Sequence, residues 1–207
     1  MKLLTKASPF GSWKVLAGPE GCISCIPAVT AIPDSMSEVI SPGAIGKSLR
    51  SRMPKMCWSH DWARPVGKVT SAAELLPGDP RLPSEFKALG AGCLTVTASL
   101  NMQTQDGREA YENLRFFSDD SQFSIGYQVP PGGSSFDSKT GLTTLTALDI
   151  FELSPVLWGA ARETRLLAVK ALAGRSGDDG DRHLLAELLE LISERSDWPA
   201  VKGLRIA

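Results

Sequence analysis

The chain has 207 residues, with 22 Lys and Arg against 23 Asp and Glu. That balance excludes the one-signed field by which binders of nucleic acid or anionic membranes attract their targets, and it points to a protein or peptide partner. The length suits one domain with its own core plus an appendage. No apolar run, including the short one in Met1-Lys2-Leu3-Leu4-Thr5-Lys6, reaches the length of a signal peptide or a membrane span, so a cytoplasmic protein is expected. Four cysteines, Cys22, Cys25, Cys57 and Cys93, are too sparse for a disulfide framework and read as free thiols.

In chain order, residues 11 to 33 carry apolar runs broken by Gly18, Pro19, Gly21, Pro27 and Pro33, a pattern of strands with tight turns. Ser41 before Pro42, with Ile45 and Leu49 four apart, predicts a helix from about Pro42 to Arg52. A histidine block follows, and His60 shares strand parity with Met56, Trp58 and Trp62, which predicts a strand histidine in partly apolar surroundings. Beyond a Pro- and Gly-rich loop from Pro77 to Pro83, Leu94 to Leu100 alternates apolar with small polar residues, as a half-buried strand does. Asp106 is placed to cap a helix that runs through Tyr111 and Leu114 to about Phe117, and Ser118-Asp119-Asp120-Ser121 turns into a strand around Ser124. A Gly/Ser-rich loop, Pro130 to Ser135, precedes one long strand from about Leu142 to Leu153 that ends at Pro155. From Arg162 the pattern turns helical: Leu166, Val169, Leu172 and Ala173 form a stripe, residues 175–181 read as a solvated linker, and Leu184 to Ile192 define a second amphipathic helix.

Three blocks carry candidate chemistry: Trp58-Ser59-His60-Asp61-Trp62-Ala63-Arg64-Pro65-Val66-Gly67, then Gln122-Phe123-Ser124-Ile125-Gly126-Tyr127, then Phe151-Glu152-Leu153-Ser154-Pro155-Val156. In a strand Phe123, Ile125 and Tyr127 share one face, so Ser124 and Gly126 share the other, a hydroxyl beside a bare backbone where a substrate can approach. The bland alternative is an ordinary strand serine. His60 is the candidate general base, because the other histidine, His183, falls in the polar tail. Asp149 and Glu152 both lie near the place of an orienting acid, and their odd spacing puts them on opposite strand faces; Asp61 is a further alternative. Cys22-Ile23-Ser24-Cys25 with Cys57-Trp58-Ser59-His60 also has the spacing of a Cys3His zinc site, against which residues three apart in a strand face opposite ways.

The blocks in this order resemble the prohead (capsid maturation) serine proteases of tailed bacteriophages, with their "H-D... P-x-G", "F-S-I-G-[FY]" and "E-[VL]-S-x-V" segments. The resemblance covers roughly residues 15 to 162, with Ser41-Pro42-Gly43-Ala44-Ile45 departing from an acidic-then-"P-G-A-F" run. It implies a mainly β fold with flanking helices, a small barrel like that of the herpesvirus assemblins, as a protease domain over residues 1–162. A helical C-terminal extension over 163–207 would follow, suited to binding a partner. It also implies a serine endopeptidase in which Ser124 attacks, His60 moves the proton and Glu152 orients His60, with no cofactor and no metal. In assemblins a second histidine fills the third place, so variation there is expected. The implied substrates are the capsid protein's N-terminal segment or a scaffold inside the immature prohead of a phage or prophage, with self-cleavage. The portal is a further implied partner, and a homodimer has its precedent in assemblin. An oxyanion hole is expected from backbone N–H groups, for which the Gly132-Gly133 loop is a candidate. The competing expectation from another class is a non-catalytic capsid assembly protein that keeps the fold.

Overall fold

The computed structural model describes residues 20–169. Within them β1 (Cys22–Thr30) leads to β2 (Glu38–Ile40) and α1 (Gly46–Ser51), and β3 (Lys55–Trp58) turns tightly into β4 (Asp61–Leu75). Next come α2 (Ser84–Leu89), β5 (Gly92–Leu100) and α3 (Gln105–Phe117), with one 3-10 turn joining α3 to β6 (Gln122–Gln128). The rest is strand: β7 (Ser134–Asp137), β8 (Leu142–Leu145), β9 (Asp149–Val156) and β10 (Arg165–Val169). The protein is mainly β, with a curled half-barrel sheet of order β10-β1-β5-β4-β3-β9-β6 beside a small sheet of order β2-β8-β7. The sheet's β6 end bends back toward β1 and β10.

The curl encloses one core. Along β5, Leu94, Val96, Ala98 and Leu100 point inward and are buried, while Thr95, Thr97 and Ser99 on the other parity are half-buried. Ile23, Val66, Phe123, Ile150 and Leu153 from five other positions in the sheet meet them, and α3 closes the core with Ala110, Tyr111 and Leu114. Full burial of a side chain such as Phe123 or Leu153 contributes roughly 1.5–3 kcal/mol. Ile26, Val29, Leu75 and Cys93 form a second cluster on the other side, filled by Phe86 of α2. The Glu74 carboxylate of β4 accepts the N–H groups of Gly43 at 2.7 Å and Gly46 at 2.8 Å, which ties the start of α1 to the sheet. No helix among the described residues is long and apolar enough to cross a membrane.

Several elements depart from the sequence expectation, each for a physical reason. The helix after Ser41 is shorter, beginning at Gly46, and α3 is capped by Thr104, whose hydroxyl accepts the Gly107 N–H at 3.2 Å, and not by Asp106. The helix α2 went unread because it is only six residues long. The single strand expected over 142–153 is two, β8 and β9, which belong to different sheets. Residues from Arg165 do not start a helix: Arg165–Val169 is a strand paired antiparallel to β1, with Ile23 opposite Val169 and Ile26 opposite Arg165. An unbroken apolar run such as Leu166-Leu167-Ala168-Val169 satisfies either period, and pairing with β1 decides it. The remainder of the predicted first helix, the linker at 175–181 and the second helix lie outside the described residues.

Candidate active site

Strand β9 is the floor of the site. It lies between β3, to which it is parallel, and β6, to which it is antiparallel. Ile150 and Leu153 face the core, whereas Glu152 and Ser154 project from the opposite face and are nonetheless buried, at 2% and 0% exposure. A buried carboxylate is expensive unless its oxygens are hydrogen-bonded, and here both are. Glu152 Oε1 is 2.7 Å from His60 Nδ1; Glu152 Oε2 accepts from the Ser154 hydroxyl at 2.7 Å and from the Cys57 thiol at 3.1 Å.

His60 reaches that carboxylate from a turn and not from a strand. Trp58 and Asp61 are the last pair of the β3–β4 ladder, which leaves Ser59 and His60 as a two-residue hairpin loop, both left-handed at φ 51° and 63°. This is the arrangement in which Asn-Gly is usual, and each non-glycine residue held there is strained by about 1 kcal/mol or more. Three hydrogen bonds to β9 oppose the strain: Ser59 N–H to the Pro155 carbonyl at 3.1 Å, His60 N–H to Ser154 Oγ at 3.0 Å, and the ring bond to Glu152. The expected strand parity with Met56, Trp58 and Trp62 is therefore broken at Ser59, and the ring is 43% exposed, not enclosed among apolar side chains. With Nδ1 held against a carboxylate, the neutral ring carries its proton there and leaves Nε2 with a free lone pair.

Ser124 lies on β6, directly opposite Ser154 of β9, and Gly126 lies opposite Glu152. Residues so paired share a face with their Cβ atoms about 4.5–5.5 Å apart. Ser124 is thus on the same face as the His60–Glu152 pair, one strand away. The Ser124 hydroxyl has no hydrogen-bond partner among the described residues; a nucleophile–base bond commonly tightens only around a bound substrate. Beside Ser124 opens a cavity of about 410 Å³, bounded by Pro27, Val29, Ile32, Ser124, Ile125 and Tyr127, at the edge of the sheet where β6 has no further strand among the described residues. A larger cavity of about 800 Å³, around Trp58, Phe117, Trp158 and Arg165, is lined by none of Ser124, His60 and Glu152.

Gly126 has a different reason from the one the sequence suggested. A Cβ there would overlap Glu152 Oε1 and stand 2.9 Å from its Cδ, so the missing side chain makes room for the carboxylate and not for a substrate. Gly126→Ala is expected to displace Glu152 and lower stability by about 1–3 kcal/mol. Thermal unfolding is the measurement, and an unchanged midpoint would contradict this packing.

The other candidates are placed elsewhere. Asp149 is half-buried at the start of β9, paired with Gln128, and the Asp61 carboxylate accepts the N–H of Ala63 at 2.9 Å. His183 lies outside the described residues. The Gly132-Gly133 loop is a tight turn: Gly132 has φ 75°, and the Gly133 N–H is occupied by the Pro130 carbonyl at 2.8 Å, so it is not free to hold an oxyanion. Cys22 and Cys25 lie on β1, which β5 and β4 separate from β3 and Cys57. Burial pushes the Cys57 thiol up to about 11, against the lowering effect of its Ser154 hydrogen bond, so it is a protonated donor in this network. Cys57 and Ser154 are the members of the network that sequence reasoning missed. The available signal was a polar residue two positions from Glu152, hence on the same strand face.

A family model described as caudovirus prohead serine protease matches residues 27–175. No curated protein matches the chain.

Proposed function

The chain belongs to the caudovirus prohead serine protease family, a family of peptidases, and from that premise we propose that Ser124, His60 and Glu152 hydrolyse peptide bonds through an acyl-enzyme. His60 Nε2 takes the Ser124 proton as Oγ attacks the scissile carbonyl carbon. It then returns the proton to the departing amine, and a water deprotonated by the same nitrogen releases the acyl group and restores Ser124. Glu152 holds the Nδ1 proton and stabilises the imidazolium that forms between these transfers. The observation that carries this reading is the 2.7 Å His60–Glu152 bond on the face that Ser124 shares.

The substrates on this reading are the capsid protein's N-terminal segment or a scaffold protein, cut inside the immature prohead in the host bacterial cytoplasm. The chain's own C-terminal segment beyond β10, which ends at Val169, is a further target of self-cleavage. The portal and a second copy of the chain are the remaining proposed partners.

Reaction of the full-length chain with a fluorophosphonate probe, followed by peptide mapping, tests the site without a known substrate. A single adduct on Ser124 is the expected result. An adduct on another serine, or none on a folded chain, would overturn the assignment and favour a capsid assembly factor that has kept the fold.

A further inference from the structure

Ser154 is fully buried and has no route to a substrate, yet its hydroxyl makes three polar contacts beneath the site. Its proton goes to Glu152 Oε2 at 2.7 Å. Its lone pairs receive the backbone N–H of His60 at 3.0 Å and face the Cys57 sulfur at 3.2 Å. One oxygen atom therefore touches both halves of the His60–Glu152 pair: the carboxylate oxygen that the imidazole does not use, and the main chain of the residue that carries the imidazole.

We propose that Ser154 is a positioning residue, a clamp that fixes Glu152 and the left-handed His60 turn in one geometry. The inference rests on the catalytic reading of Ser124, His60 and Glu152 and goes beyond it. The clamp has work to do because neither partner is held well without it. The turn has no glycine or asparagine to favour two positive φ angles, so its shape depends on bonds to β9. The carboxylate sits at the end of a side chain with three rotatable bonds, and the thiol of Cys57, its other donor to Oε2, is a weak one. Ser154 also lies directly opposite Ser124 across the β6–β9 ladder, so the clamp sets the position of the imidazole relative to the strand that carries the hydroxyl.

Removing the hydroxyl leaves the His60 N–H without its acceptor and lets the carboxylate and the turn relax independently. A displacement of about 1 Å between reacting groups can cost about a hundredfold in rate. Ser154→Ala in the full-length chain is therefore expected to lower the rate of fluorophosphonate labelling at Ser124 by about 10- to 100-fold. Ser154→Thr, which keeps the hydroxyl on a β-branched side chain suited to a strand, is expected to restore most of that loss. A second readout needs no chemistry at Ser124: the downfield proton resonance of His60 Nδ1–H against its carboxylate should be sharp in the native protein and broadened or lost in Ser154→Ala. Labelling at the native rate together with an unaltered resonance in Ser154→Ala would overturn the clamp. Failure of the native protein itself to label would overturn the catalytic reading instead, and the resonance would still decide the clamp. Should Ser154→Thr fold poorly, the His60 resonance in Ser154→Ala decides the clamp by itself; a rate matching Ser154→Ala in a folded Ser154→Thr would also count against the clamp.

Discussion

Ser124→Ala is expected to abolish proteolysis and to leave the fold unchanged. The substitution deletes one hydroxyl that is half-buried at the sheet edge and has no hydrogen-bond partner among the described residues, so stability should stay within about 0.5 kcal/mol of the native value. Its chemical effect is of another order, because nothing replaces an acyl acceptor: loss of a serine nucleophile costs about a millionfold in a comparable hydrolase. Neighbouring Ser154 cannot substitute, being fully buried beneath the pair it binds. The measurement is the intact mass of the capsid protein co-expressed with each form of the chain. Specific trimming by the native chain and none by Ser124→Ala is the expected outcome; equal trimming by both would exclude Ser124 as the nucleophile.

Glu152→Gln should slow acylation by about two to four orders of magnitude at nearly unchanged volume. The new amide has two orientations, and both are unfavourable. With its NH2 toward His60, Nδ1 must give up its proton, which moves to Nε2 and blocks the lone pair that should accept from Ser124. With its oxygen toward His60, the tautomer survives, but the charge that stabilises the imidazolium is gone. Ser154 must then accept from the amide where it now donates to Oε2 at 2.7 Å. Labelling kinetics with the fluorophosphonate probe report the loss, and a thermal melt separates it from unfolding. A folded Glu152→Gln that labels within threefold of the native rate would remove Glu152 from the mechanism.

These two substitutions and Ser154→Ala probe one network from three sides, and their effects should not add. Glu152 is bonded to both His60 and Ser154, so once the carboxylate is neutral the clamp has less to orient. Adding Ser154→Ala to Glu152→Gln should therefore cost less than it does in the native chain.

The legibility of the fold followed how local the determining interactions are. β5 was visible because alternation along Leu94 to Leu100 is the same pattern the buried face requires. α3 was visible from its apolar spacing, with only the cap displaced by two positions, from Asp106 to Thr104. The β7–β8 ladder gave no comparable signal, since Ser134 to Asp137 is exposed throughout and has no buried face to pattern. β10 was misread because a short apolar run carries no period of its own.

For the site, the opposite faces expected of Asp149 and Glu152 are overturned by a bulge in β9 that pairs them with Gln128 and Gly126, which share a face, whereas residue types and the two faces of β6 were legible in the sequence: a serine on the opposite parity from Phe123, Ile125 and Tyr127, and one histidine suited as a base. Those are consequences of the two-residue period of a strand, which needs no tertiary information. Tertiary structure decided which groups meet. Register places Gly126 opposite Glu152 and Ser124 opposite Ser154, and it brings the carboxylate to His60 Nδ1 across 92 positions of chain. It also bends Ser59 and His60 into a left-handed turn for which the local sequence carries no glycine or asparagine, because the bonds that hold that turn come from β9. A strand's alternation is local; a register, a strained turn and a carboxylate with both oxygens satisfied exist only once distant strands have paired.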